Sequence, residues 1–198
     1  GLLYAGGIVT DGVIDNDSGT VPAQIADIVN MSLGGPQFSD VVQDAITRIR
    51  TAGVIVVAAA GNDGTDAPSY PAASEGVISV SAVTLNKTLA SYSNFGSTID
   101  IAAPGGGIFS NAVVSTLGED SSGTIKYGYG GYSGTSMAAP HVAGVLALML
   151  AVNPSLRPFE IDARLASGDL TDDIGTSGRD DDYGYGLINA LKAVVSAS

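Results

Sequence analysis

Ile28-Val29-Asn30-Met31-Ser32-Leu33-Gly34-Gly35-Pro36 opens the stretch that decides the fold. Val42, Ala45, Ile46 and Ile49 follow, and then the unbroken run Val54-Ile55-Val56-Val57-Ala58-Ala59-Ala60. The first segment reads as a buried strand that stops at a Gly-Gly-Pro turn. The apolar positions after it fall at i, i+3, i+4 and i+7, one face of a helix that Ser39 or Asp40 caps and Gly53 closes. An apolar run of seven has no polar face, the pattern of a strand covered on both sides in a parallel sheet. Strand 28–33, helix 40–52 and strand 54–60 therefore make a βαβ unit.

The same alternation continues outward. Val77 to Val83 predicts another strand, and 100–103 and 113–116 predict short ones. Residues 105–134, rich in Gly, Ser and Tyr, predict a loop or hairpin. Helices are predicted over 137–152 with Pro140 in the first turn, over 159–166, and over 187–195 with Ile188, Leu191 and Val195 on one face. The fold class is α/β: three layers, with a mostly parallel sheet flanked by helices.

Length and charge narrow the functions. The 198 residues suit one domain, and 45% apolar content argues against disorder. Eight basic against 20 acidic residues give a net charge of −12. Such a chain lacks the basic footprint that nucleic acids or an anionic membrane surface require. Residues 160–182 carry much of that charge and read as a solvated face. There is no cysteine, so disulfides and thiolate chemistry are excluded. The most apolar stretch, 142–152, is too short to span a bilayer.

The single histidine, His141, stands on an apolar helix and is expected to pack into the core. Five residues separate it from Ser136, which makes it a poor base for that hydroxyl. Ser136 by itself reads as a helix cap, and Ala138 stands where a G-x-S-x-G elbow needs its second glycine. A dinucleotide-binding turn is also missing after the first strand.

The wider context is more specific. Gly134-Thr135-Ser136-Met137-Ala138-Ala139-Pro140-His141-Val142-Ala143-Gly144 resembles the serine box of the subtilisin-like serine peptidases, the subtilases of peptidase family S8. Asn30 to Gly35 resembles the family's substrate-binding strand, and Val57 to Asn62 its oxyanion block. Tyr70-Pro71-Ala72, Ala102-Ala103-Pro104-Gly105 and Gly184 to Ala190 resemble three further blocks in the same order. The blocks that carry the family's catalytic Asp and His are not found; Asp11, Asp15 and Asp17 lack the flanks. The expectation is a single truncated catalytic domain, 1–198, without the N-terminal strands that bear those two residues. Leu2 to Gly7 resembles the end of a helix.

The resemblance implies roles. Ser136 is the nucleophile, and its N–H with the Asn62 side chain forms the oxyanion hole. Ser32, Leu33 and Gly34 pair with the substrate backbone, and Ala60 and Gly61 wall the first pocket. No cofactor is required for the chemistry. Structural calcium is a family trait, for which Asp100 is a weak candidate metal ligand and Asp180-Asp181-Asp182 a second cluster. The implied function is a secreted serine endopeptidase acting on protein or peptide substrates, with no nucleic-acid or membrane partner. The isolated chain is expected to be inactive, with the absent N-terminal segment as its partner. The alternative is a non-catalytic, peptide-binding pseudo-peptidase.

Overall fold

In the computed structural model, residues 1–8, 24–107 and 111–198 are described. Asp11, Asp15 and Asp17 lie outside them. The order is α1 (Leu2–Ala5), β1 (Ile28–Met31), α2 (Asp40–Thr51), β2 (Ile55–Ala59), β3 (Ile78–Val83) and β4 (Ile101–Pro104). Then follow β5 (Val113–Ser121), β6 (Thr124–Tyr132), α3 (Thr135–Val152), α4 (Pro158–Ala166), β7 (Thr171–Asp172), β8 (Leu187–Ile188) and α5 (Ala190–Ser196).

One six-stranded sheet runs β1-β2-β3-β4-β8-β7, parallel throughout except for β7. Its register sets Val29 beside Val56, Val57 beside Ile78, and Val80 beside Ile101. Every residue of β2 and β3 is buried, because helices cover both faces. On one face Val54, Val56 and Ala58 meet Ile46 and Ile49 of α2. On the other, Ile55, Val57 and Val80 meet Ala138, Val142, Leu146 and Met149 of α3. Fully burying a side chain such as Ile46 or Ile49 stabilises by about 1.5–3 kcal/mol. α2 is capped by Ser39, whose Oγ accepts from the Val42 N–H, with Asp40 at its start and Arg48 and Arg50 at its end, each complementing the dipole.

Several expectations need correction. β1 ends at Met31, so Ser32 and Leu33 lie beyond the strand. Val42 is exposed, off the buried stripe of α2. Within 105–134 the hairpin alternative holds: residues 113–132 form a long antiparallel ribbon, whose first strand extends well past the predicted 113–116. Residues 187–188 are strand, and Asn189 rather than Leu187 starts the last helix, its Oδ1 accepting from the Lys192 N–H. Leu191 and Val195 are therefore exposed while Ala193 and Ala197 are buried. α3 starts two residues early and runs 18 residues without a charge. By length and composition alone that is enough to cross a membrane, which the eleven-residue run did not suggest. Its buried face packs on the sheet, the position of a core helix.

Candidate active site

Three chain segments meet at the carboxyl ends of the parallel strands, where open α/β sheets bind ligands. Ser32 follows β1, Asn62 follows β2, and Ser136 stands in the first turn of α3. The Ser32 Oγ donates to the Ser136 carbonyl at 2.9 Å, and the Ser136 Oγ reaches the Ser32 carbonyl at 3.4 Å.

Asn62 is fixed by its oxygen. Its Oδ1 accepts from the Thr135 N–H at 2.8 Å and from the Thr135 Oγ1 at 3.0 Å. The Thr135 Oγ1 in turn accepts from the Gly61 N–H at 3.1 Å. With Oδ1 occupied, the Asn62 NH₂ is left as a neutral donor beside the N-terminus of α3. The two lie close: a Cβ built on Gly134 would sit 3.5 Å from the Asn62 Nδ2 and 3.7 Å from the Ser136 N.

A second asparagine shapes the loop from beneath. Buried Asn94 donates from Nδ2 to the Ala60 carbonyl at 3.0 Å and accepts at Oδ1 from the Asp63 N–H at 2.8 Å. Gly61 is required there: its φ is +111°, and a Cβ would meet the Asn94 Nδ2 at 2.4 Å. Tyr92 holds the far side, its single O–H shared between the Gly105 and Gly106 carbonyls, both at 2.8 Å; burial raises its phenol above the ordinary range. Gly105 then accepts from the Gly134 N–H at 2.9 Å.

A cleft of about 350 Å³ opens beside Ser136, lined by Leu33, Gly34, Ala59, Gly61 and Asn62 among others. Ala60 itself is buried, its N–H donating to the Val80 carbonyl. A Cβ on Gly34 would crowd its neighbours, lying 3.0 Å from the Ser69 Oγ and 3.1 Å from the Tyr70 carbonyl oxygen. A larger depression of about 910 Å³ lies at the other end of the sheet. Arg50 and Asp162 in its lining are already paired with each other, and nothing there resembles a reacting group.

His141 corrects an expectation: it is exposed, not packed in the core. At 100° per residue, position 141 falls with 137, 144 and 148, away from the buried 138, 142 and 149. Its Nδ1–H donates to the Met137 carbonyl at 2.8 Å.

Asp100 stands far from this cleft, at the foot of β4. Its Oδ2 accepts from the Ser79 N–H at 2.8 Å, and burial pushes its carboxyl up to about 6, more than neighbouring Arg179 lowers it. Asp180 accepts from the Thr176, Asp182 and Tyr183 N–H groups. Among the described residues no cluster of three or more His, Cys, Asp or Glu side chains forms.

Sequence reading found Ser136, Asn62 and the 32–34 segment, and the fold brings them together. It missed Thr135, Asn94 and Tyr92, the residues that hold them. Thr135 stood inside the quoted serine box, but nothing in its spacing announces a bond to residue 62.

Comparison with known proteins agrees with this geometry. A profile of the Subtilase family matches residues 6–186. Subtilisin DY of Bacillus licheniformis is 39% identical over 171 residues, 84% of this chain and 56% of that protein. An extracellular protease of Xanthomonas campestris is 39% identical over 197 residues, 96% of this chain and 33% of that protein. The solved structure of a protease from Pseudoalteromonas arctica superposes with a TM-score of 0.87 at 40% identity, over 100% of this chain and 57% of that one. The chain thus spans about half or less of the length of these relatives.

Proposed function

Since the chain belongs to the subtilase family, we propose that it carries the nucleophile and oxyanion hole of a serine endopeptidase. Ser136 Oγ attacks the scissile carbonyl carbon while a base takes its proton. The C–N bond breaks, the amine leaves with that proton, and water hydrolyses the resulting acyl-enzyme. The Ser136 N–H, at the positive end of α3, and the Asn62 Nδ2–H₂ donate to the oxyanion. The substrate backbone lies along Ser32, Leu33 and Gly34 as an added strand, with its side chain in the cleft walled by Ala59 and Gly61. The reaction draws on side chains and backbone alone, and no cofactor takes part.

The observation that carries this reading is the Asn62–Thr135–Ser136 arrangement, in which the amide oxygen is tied back and the donor is left facing the start of α3. His141, the one histidine of these 198 residues, is exposed, and the Ser136 Oγ reaches the Ser32 carbonyl rather than its ring. We therefore assign the base to a further segment, on the same polypeptide or on a partner chain. A matched relative is named an extracellular protease, which supports export.

The test is covalent labelling of the full-length protein with a fluorophosphonate, with peptide mapping of the adduct. Label on Ser136, loss of label in Ser136→Ala, and Ser136-dependent cleavage of a chromogenic peptide are expected. A protein that binds peptide but takes no label would instead be a non-catalytic binding relative.

A further inference from the structure

Pro140 lies inside α3 and has no N–H, so the Ser136 carbonyl four residues before it lacks the i+4 donor of a regular helix. The freed carbonyl lies in a half-exposed turn, where a side-chain donor can take the place of the missing helix bond. The donor comes from 104 residues away, at 2.9 Å: the Ser32 Oγ, in the loop that follows β1. Asn30 Nδ2 donates to that same Ser32 Oγ at 3.0 Å. Because the amide N–H occupies one oxygen lone pair, the Ser32 hydroxyl hydrogen is directed onto the Ser136 carbonyl.

The Ser136 carbonyl carbon is bonded to the same Cα as the Ser136 side chain, so holding that carbonyl limits the rotation of the residue that bears the hydroxyl. The partner residue, Ser32, begins the 32–34 segment along which the substrate would lie. We infer that Ser32 is a positioning residue: its side chain, oriented by Asn30, clamps the carbonyl freed by Pro140 and so fixes the nucleophile in register with the substrate-bearing loop. This rests on Ser136 being the nucleophile. Ser32 Oγ touches no reacting atom; it acts through the backbone of Ser136. Its loss therefore widens the spread of attack geometries without removing a binding contact, and the effect falls on kcat rather than KM.

The experiment uses the full-length protein and two readouts, the rate of fluorophosphonate labelling at Ser136 and steady-state peptide cleavage. Ser32→Ala is expected to slow both labelling and kcat by about tenfold, the effect of one lost neutral hydrogen bond, with KM within about twofold. Ser32→Thr keeps the hydroxyl and restores the rate. Asn30→Asp turns the orienting donor into a competing acceptor for the Ser32 hydrogen and is expected to slow labelling like Ser32→Ala. The decisive arm is a double-mutant cycle with Pro140→Ala, which returns an N–H to the helix four residues after Ser136. In that background Ser32→Ala is expected to cost less than about twofold. Equal labelling of the wild type and Ser32→Ala, or the same loss with and without Pro140, overturns the inference. Failure of the wild type to label at Ser136 is a different result: it removes the proposed function, and this inference with it.

Discussion

At the scale of single residues, the working end of Asn62 is decided by what holds its other end. Two Thr135 donors on Oδ1 keep the amide from rotating, so the Nδ2 donor is held in place for the oxyanion role proposed above. Preorganised donors of this kind stabilise the transition state without reorganisation. Replacing Asn62 with Ala should lower kcat by roughly 10²–10³, a magnitude taken from the corresponding donor in subtilisin itself and not from this geometry. Thr135→Val removes the hydroxyl that links Gly61 to Asn62 and leaves the Thr135 N–H bond alone. It should lower kcat by about tenfold, whereas Thr135→Ser, which keeps the hydroxyl, should stay within about twofold. Steady-state kinetics on the full-length protein checks both, and equal losses in Val and Ser variants would refute the hydroxyl's role. Asn62 and Ser136 were legible in sequence because each stands in a block specific enough to compare. Thr135 was not, because a buried threonine at a helix start has many ordinary reasons to be there. His141 misled because an apolar helix was taken to be buried all round, while α3 leaves Gly144, Ala147, Leu148 and Ala151 exposed.

Among the elements, the β5–β6 ribbon differs most from its sequence. Thr116 pairs with Tyr129 and Gly118 with Tyr127, and Tyr127 and Tyr129 are 84% and 81% exposed on one face. The ribbon is anchored at its base, where the Ser133 Oγ donates to the Gly107 carbonyl at 2.7 Å, and its outer part packs mainly on itself. Gly128, Gly130 and Gly131 break the alternation that marks a strand, so the segment reads as loop; Leu117 lies across Gly130, where a Cβ would meet its Cδ1 at 2.2 Å. Such an element adds little to global stability. Shortening it by joining Gly118 to Tyr127 through an Asn-Gly turn should change stability by no more than about 0.5 kcal/mol. By contrast, Ile49→Ala, in the fully buried contact between α2 and β2, should cost about 2–5 kcal/mol. Thermal unfolding of the two full-length variants separates the cases, and a comparable loss in both would place the ribbon within the core. The βαβ unit was legible because its apolar runs are long and uninterrupted. The last helix was shifted because the pair 187–188 fits either a helix or a strand, and only pairing with β4 and β7 decides it.

For the whole molecule, the pH dependence of stability has an identifiable source in Asp100. Burial raises Asp100 from 3.8 to about 6, so the native state holds a proton that the unfolded chain has released. Its contribution to stability is fully present below about 3.8, is lost as the pH rises towards about 6, and is absent above. Asp100→Asn keeps an acceptor for the Ser79 N–H without a charge. It should flatten the stability curve between those values and stabilise at pH 7–8 by at most on the order of 2–3 kcal/mol. An unchanged slope would mean that Asp100 is not the titrating group. The last expectation concerns one flank of the fold. β1 is an edge of the sheet among the described residues, with its outer hydrogen-bonding groups unpaired. Beside it Ile25, Leu148 and Val152 are exposed, and Ile28, Ala147, Leu150 and Ala151 line a depression of about 450 Å³. An open edge next to apolar surface is a template for another strand, from a partner or from a second copy. The same flank adjoins Ser32 and hence Ser136, next to which the base proposed above would stand. One added segment would therefore cover the apolar flank and complete the catalytic group together. Residues 1–198 expressed alone should self-associate and cleave no peptide, while the full-length protein should be monodisperse and active. Size-exclusion chromatography with a chromogenic peptide assay checks this, using Ser136→Ala as the control for contaminating protease. Ser136-dependent turnover by the 198 residues alone would show that the base lies within them after all.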